Sequence, residues 1–360
     1  MRLEDLGWNP FFASQFSRAD QSPLVPARVT EESKGLYRVR NQNGEYLAEV
    51  SGRLRHHTGD PAALPAVGDW VLVAPRAAEN RARIDRVLDR STKLSRKVAG
   101  RAFREQVVGA NLDLVFVTSA LNRDFNPRRI ERYLSIVWES GARPIILLNK
   151  SDLCTPKEAA ALAWEVESVA PGVPVLLGCA LDSGHSGLDA IRSHIAPAET
   201  AAFIGSSGVG KSTLINALLG AAALATQPVR ESDDRGRHTT TSRQMLFLPG
   251  GQIVIDTPGM RELQLWNSAD GVAQTFDDIT ALAADCKFRD CTHTGEPGCA
   301  VEAAIASGAL DPARLDNLRK LEAELAFQQR KTDPAAAHET KEKWKKIHKA
   351  QRGAYRLRPK

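Results

Sequence analysis

Long apolar runs are missing from this chain. The strongest, such as Val71-Leu72-Val73-Ala74, are strand-sized, far short of the ~20 residues a helix needs to cross a bilayer. A helical membrane span is therefore excluded. The N-terminus, "MRLEDLGWNPFFASQF", has no basic region leading into an apolar core, so no secretory leader is expected. Cysteine is scarce: five residues, Cys154, Cys179, Cys286, Cys291 and Cys299. An odd number without a leader points away from a disulfide scaffold and toward a reducing, cytoplasmic setting. What remains is ordinary globular composition, 42% hydrophobic and 25% charged over 360 residues, enough for two or three domains.

Acidic excess is also absent, and the positive charge is unevenly placed. Residues 331–360 carry ten Lys or Arg against three acids, so that stretch is +7 while the rest of the chain is −2. Such an arm suits a polyanionic partner; a lysine-rich helix kept for solubility is the plainer alternative. Arg76 to Arg104 holds another ten Lys or Arg against three acids.

The patterns divide the chain. Residues 1–21 form an N-terminal extension. Residues 22–104 alternate as short strands, with Asn43-Gly44 as a hairpin signal. Short strands, glycine turns and arginines suit an OB-type β-barrel with an oligonucleotide-binding face. From 105 to 275 continuous apolar strands ("LDLVFVTSA", "PIILLNKSD", "TAAFIG") alternate with helical segments ("NPRRIERYLSIVWESG", "TPKEAAALAWEVESVA", "KSTLINALLG"). That rhythm predicts a mostly parallel α/β sheet covered on both faces. A cysteine-bearing helical region, 276–332, and the basic tail, 333–360, complete the chain.

Gly205-Ser206-Ser207-Gly208-Val209-Gly210-Lys211-Ser212 fits G-x-x-x-x-G-K-[ST] between a strand and a helix. Its backbone N–H groups and helix N-terminus suit phosphates. Lys211 is expected at the β- and γ-phosphates, Ser212 on Mg²⁺ and Thr213 at the α-phosphate. Asp256-Thr257-Pro258-Gly259 follows the strand "QIVID". Asp256 there suits Mg²⁺ through water, and the Gly259 N–H suits the γ-phosphate. Between them, "DRGRHTTTSRQ" offers Thr239, Thr240 and Thr241 to complete the Mg²⁺ shell, with Thr240 or Thr241 preferred. Met260 stands where many GTPases place a water-orienting glutamine. His238 is the nearest polar candidate for that role, unless a partner supplies the group.

Asn149-Lys150-Ser151-Asp152 fits N-K-x-D at the end of an apolar strand. Asp152 suits the N1–H and 2-amino donors of guanine, Asn149 the base edge, and the Lys150 stem the ring face. Cys179-Ala180 ends the next strand, where a backbone N–H would meet guanine O6; Ser-Ala is the more usual pair. The base reader precedes the phosphate loop, so the order of the domain is circularly permuted. Permutation leaves such a site intact, because its loops all lie at the C-terminal ends of parallel strands. Cys286, Cys291, His293 and Cys299, spaced C-x4-C-x-H-x5-C, make a closed three-thiolate, one-imidazole set, the pattern of one structural Zn²⁺. Cys154 reads as an ordinary thiol.

Permuted motifs, a basic barrel before them and the cysteine–histidine cluster after them resemble the ribosome small subunit-dependent GTPase A family of bacteria. "GSSGVGKST", "GRHTTT", "DTPGMRE" and "CKFRDCTHTGEPGCAV" all look like its motifs, and the likeness spans nearly the whole chain. It implies an N-terminal OB-fold, a central α/β circularly permuted P-loop GTPase domain and a C-terminal helical zinc-binding domain. It further implies GTP hydrolysis stimulated by the small ribosomal subunit in late maturation, and contact with rRNA near the decoding region. Family members likewise carry a hydrophobic residue at the Met260 position; Cys179 is the departure. A cytoplasmic monomer with no membrane partner is expected. The alternative is a nucleotide-sensing RNA-binding clamp in which hydrolysis is incidental. The loop from Asp256 to Gly259 runs on into the cysteine-bearing region, so loss of the γ-phosphate could move that region on RNA.

Overall fold

A computed structural model describes residues 1–16, 24–33, 35–97, 105–179, 186–220, 224, 243–256 and 269–332. A short helix, α1 (Pro10–Gln15), starts the chain; Asn9 caps it by accepting from Phe11 N and Phe12 N, with Pro10 at its first position. Five strands follow: β1 (Val25–Ser33), β2 (Leu36–Asn41), β3 (Gly44–Val50), then, after helix α2 (Gly52–His57), β4 (Trp70–Arg76) and β5 (Arg81–Val87). Their order is β1-β2-β3-β5-β4, and β4 pairs back onto β1. This closed five-stranded barrel is the topology of an OB-fold. Alternate side chains fill it: Val39 from β2, Tyr46 and Ala48 from β3, Val71 and Val73 from β4, Ala82 and Ile84 from β5.

The β2–β3 hairpin turns one residue earlier than the Asn43-Gly44 signal implies. Asn41 pairs with Gly44, and the Asn41 side chain accepts from Asn43 N at 2.8 Å. The asparagine at 41 builds the turn, and Gly44 opens the next strand. After the barrel, β6 (Lys93–Lys97) and β7 (Glu105–Ala110) form a two-stranded antiparallel sheet of their own. Leu6 and Phe12 from the N-terminal segment pack on Trp70 and Leu72 of the barrel.

The α/β region runs β8 (Leu114–Ala120), α3 (Pro127–Ser140), β9 (Arg143–Asn149), α4 (Pro156–Val169), β10 (Val175–Leu177), α5 (Ser186–Ser193), β11 (Thr200–Ile204), α6 (Lys211–Leu219), β12 (Arg243–Phe247) and β13 (Ile253–Asp256). The helices begin and end where their sequences dictate. Asn126 caps α3 and Gly141 ends it at φ 82°. Thr155 and Glu158 form a reciprocal capping box on α4, and Gly220 closes α6 at φ 70°.

Strand order is β10-β9-β8-β11-β13-β12, parallel except for β12. Alternate residues of each strand go to opposite faces. Val115, Val117, Ile146, Leu148, Ala202 and Ile204 meet α3 and α4. Leu114, Phe116, Ile145, Leu147, Ala201 and Phe203 meet α5 and α6. Such strands are apolar throughout because both faces are covered. The edge strand β12 also pairs with β1 through Glu31–Gln244 and Glu32–Arg243, which fuses barrel and α/β region into one 11-stranded sheet.

The C-terminal helices are α7 (Ala269–Thr275), α8 (Asp277–Ala284), α9 (Ala300–Ala306) and α10 (Pro312–Thr332). They dock on α3. Ser135 Oγ donates to Thr275 Oγ1 at 3.0 Å, and Glu139 accepts from Gly271 N at 3.2 Å. At the centre, Arg314 of α10 and Glu131 of α3 are both buried, with Nη1–Oε1 at 2.6 Å. No helix among the described residues is long and apolar enough to cross a membrane.

Candidate nucleotide and metal sites

Three loops converge at the C-terminal ends of the parallel strands, where ligands of open α/β sheets bind. The loop after β11 begins at Gly205. Its φ is 147°, and a Cβ there would lie 2.1 Å from Thr118 O of β8. Only glycine permits that approach. Gly210, at φ 98°, leads into α6, and a Cβ there would meet Asn149 Nδ2 at 2.4 Å. Lys211 donates from Nζ to Gly205 O at 2.8 Å and Ser206 O at 2.7 Å, so its ammonium spans the mouth of the loop.

Asn149 is the last residue of β9 and almost fully buried. Its Nδ2 donates to Val209 O at 2.7 Å, which ties the N-K-S-D segment directly to the phosphate loop. Its Oδ1 is buried with no hydrogen-bond partner among the described residues. A buried acceptor left unpaired costs about 1–3 kcal/mol, so this atom calls for a donor from beyond those residues. Lys150 holds a left-handed conformation, φ 61°, that turns the chain sharply and leaves Asp152 exposed. Ser151 N donates to Gly178 O at 3.1 Å, and Cys179 Sγ lies 3.0 Å from Asp152 Oδ1. The base-edge loop is thus seated against the aspartate.

Ser212 and Thr213 occupy the first turn of α6. Asp256 is the last residue of β13, which neighbours β11. Ala180, His238, Thr239, Thr240, Thr241, Gly259 and Met260 lie outside the described residues.

One feature escapes motif reading. A cavity of about 220 Å³ flanks the phosphate loop, lined by Ser206, Ser207, Asn122, Asp124, Arg129 and Tyr133 among others. Arg129 Nη1 donates to Ser206 Oγ at 3.0 Å and forks onto Asp124, with Nη1–Oδ2 at 2.8 Å and Nη2–Oδ1 at 3.2 Å. The hydrogen bonds from Arg129 hold the Asp124 carboxyl below its ordinary value. The available signal was Arg128-Arg129 in the first turn of α3, where the helix dipole disfavours cations.

The second site lies between α8 and α9. The ligand atoms of Cys286, Cys291, His293 and Cys299 all fall within 4.8 Å of one another. Cys286 Sγ is 3.9 Å from Cys299 Sγ and 3.6 Å from His293 Nδ1; His293 Nδ1 is 3.4 Å from Cys299 Sγ. A tetrahedron with metal–sulfur arms of ~2.3 Å and a metal–nitrogen arm of ~2.0 Å has edges of about 3.8 and 3.5 Å. The three edges among Cys286, His293 and Cys299 match such a tetrahedron, and Cys291 lies within 4.8 Å of all three as the fourth donor. Glu296 braces the loop between His293 and Cys299, accepting from Thr292 N at 2.9 Å and Thr294 N at 2.7 Å. Hydrogen bonds from the Thr292 side chain, then from the backbone at Thr292 and Thr294, hold its carboxyl at about 2. Cys299 Sγ also accepts from Glu302 N at 3.4 Å, capping α9.

Comparison with known proteins follows the same outline. Residues 87–266 match the family model described as RsgA GTPase. The small ribosomal subunit biogenesis GTPase RsgA of Opitutus terrae is 45% identical over 99% of both chains. That called RsgA 2 from Lactiplantibacillus plantarum is 45% identical over 88% of each. Among solved structures, YjeQ from Thermotoga maritima superposes with a TM-score of 0.63 at 23% identity, covering 84% of this chain and 98% of that one. YloQ, described as a circularly permuted GTPase, gives 0.61 at 21% identity over 85% and 96%. These two speak for the fold.

Proposed function

We propose, on the premise that this chain belongs to the RsgA GTPase family, that it hydrolyses GTP on the small ribosomal subunit during late maturation and binds its rRNA. The observation that carries the nucleotide half is the Asn149 Nδ2–Val209 O bond. It joins the base-reading and phosphate-binding segments across the permuted chain order. In this reading Asp152 selects guanine, Asn149 and Lys150 hold the base, and Cys179 and Ala180 face its O6 edge. Gly205 to Thr213 cradle the phosphates, with Lys211 neutralising their charge. Ser212 and Asp256 would hold Mg²⁺, which supplies charge stabilisation on the phosphates. His238 orients the attacking water and Thr240 completes the metal shell. Cys286, Cys291, His293 and Cys299 hold a structural Zn²⁺, because a closed thiolate–imidazole set leaves no open position for chemistry. The protein works in the cytoplasm as a monomer, and the basic residues 333–360 meet RNA. The test is GTP turnover with and without purified small subunits. Stimulation is expected. Nucleotide binding without stimulated turnover would favour the RNA clamp instead.

A further inference from the structure

Arg129 sits oddly for a residue with only a local role. It occupies the first turn of α3 beside Arg128, with no acid in that turn, where a cation opposes the helix dipole. Its guanidinium reaches Ser206 Oγ at 3.0 Å, on the loop residue whose carbonyl holds the Lys211 ammonium at 2.7 Å. The cavity beside it opens onto Ser206, Ser207 and Gly208. Asp124, whose side chain is 61% exposed, takes both arms of the fork. A solvent-facing carboxylate thus competes for a cation that lies against the phosphate loop.

We propose that Arg129 is a positioning residue for the terminal phosphate of bound GTP, and that Asp124 tempers its charge. The inference rests on the nucleotide-binding reading above. Through Ser206 the guanidinium fixes the start of the loop and adds positive potential on the flank where Lys211 lies. A third phosphate brings extra negative charge to that flank, so GTP gains more than GDP. A mere loop staple behaves differently: losing either partner would weaken both nucleotides alike.

Binding of GDP and of a non-hydrolysable GTP analogue is measured by calorimetry at fixed ionic strength, since exposed charges are screened. Arg129→Gln should weaken the GTP analogue about three- to fivefold and GDP by less, the scale of a partly exposed charge interaction. Asp124→Asn should shift the analogue the opposite way, about two- to threefold tighter, and this gain should vanish in the Arg129→Gln background. Arg129→Lys should keep part of the GTP preference by retaining the charge. Equal losses for both nucleotides in Arg129→Gln, or weaker GTP-analogue binding in Asp124→Asn, would overturn the proposal while leaving the proposed function intact. A wild-type chain that binds neither nucleotide would sink that function, and this inference with it.

Discussion

Replacing Arg314 by methionine should unlock the C-terminal helices from α3. A guanidinium has five N–H groups, and all five are used here. Nε donates to Asp278 Oδ2 at 2.8 Å. Nη1 donates to Glu131 Oε1 at 2.6 Å and Val169 O at 2.7 Å. Nη2 donates to Thr275 O at 2.8 Å and Asp278 Oδ1 at 2.7 Å. The group also lies 4.7 Å from the Phe276 ring centroid. Methionine fills similar space but leaves Glu131 short of its principal partner, with Arg128 at 3.1 Å and Asn317 at 2.5 Å remaining. Breaking one side of a buried pair costs about 3–5 kcal/mol, and those two remaining contacts place the cost near the lower end, about 3 kcal/mol. Unfolding of a multi-part chain is not two-state. Hydrogen exchange of α3 and α10 amides, read by mass spectrometry, therefore measures the local opening energy. Adding Glu131→Gln should recover roughly half the loss, because the stranded charge goes with it.

The sign against pH gives a second check on the same variant. Burial already raises the Glu131 carboxyl above its ordinary value, against the pull of Arg128 and Arg314. A carboxylate raised on folding binds more protons folded than unfolded, so its destabilising charge fades as pH falls through the folded value. Removing Arg314 raises it further. The Arg314→Met penalty should then shrink as the pH falls from neutral toward the ordinary carboxylate range. A penalty below about 1 kcal/mol, or one that grows in acid, would refute the buried-charge account.

Asp152→Asn should move base preference from guanine toward xanthine in competition binding; unchanged preference would remove the N-K-S-D segment from the site. Asn149→Ala deletes the 2.7 Å bond to Val209 O and should weaken GDP and GTP together, about tenfold, in equilibrium titrations. Gly210→Ala places a methyl 2.4 Å from Asn149 Nδ2 at a φ of 98°, and should abolish measurable nucleotide binding while circular dichroism stays near wild type. Stripping metal with a chelator should release one equivalent of Zn²⁺ by mass spectrometry. It should also raise hydrogen exchange from 286 to 302, including the start of α9 that Cys299 caps, and leave barrel amides protected.

Much of the α/β region is legible because each local signal agrees with its neighbours. Proline, cap residue, periodic apolar face and closing glycine all define α3, and its strands are apolar throughout because both faces are covered. The permuted order was legible for a different reason: short motifs fix loop positions at strand ends, whatever the chain order. Features that depend on distant partners were not legible. Nothing in residues 1–16, part of the N-terminal extension, points to their partner, yet Leu6 and Phe12 are buried against Trp70 and Leu72. The β12–β1 pairing is equally hidden, since edge pairing leaves no mark in either strand's alternation. Nothing in the sequence around Arg314 marks it for burial, which makes sense only once Glu131 arrives from α3.

The helix that carries Arg129 also carries those C-terminal contacts. Arg128 pairs with Asp311, Glu131 with Arg314, and Arg132 with Glu324 at 2.5 Å. At a rise of ~1.5 Å per residue, Arg129 and Arg132 lie only about 4.5 Å apart along the axis, within a single turn. A hydrogen-bonded turn does not stretch to serve its two neighbours separately. A rigid shift of α3 relative to Ser206 would therefore also act on its contacts with α10. The permuted order leaves a covalent route as well, through residues 257–268 after Asp256. The two routes differ in what they transmit. Under the function and inference proposed above, the covalent one would respond to the γ-phosphate at Gly259, and α3 to charge on the flank of the loop. Each can shift the C-terminal helices only by the difference between its contacts to GTP and to GDP. Along α3 the Glu131–Arg314 pair is buried, whereas Asp124 is 61% exposed, so the Asp124–Arg129 end is the more open to solvent and to screening.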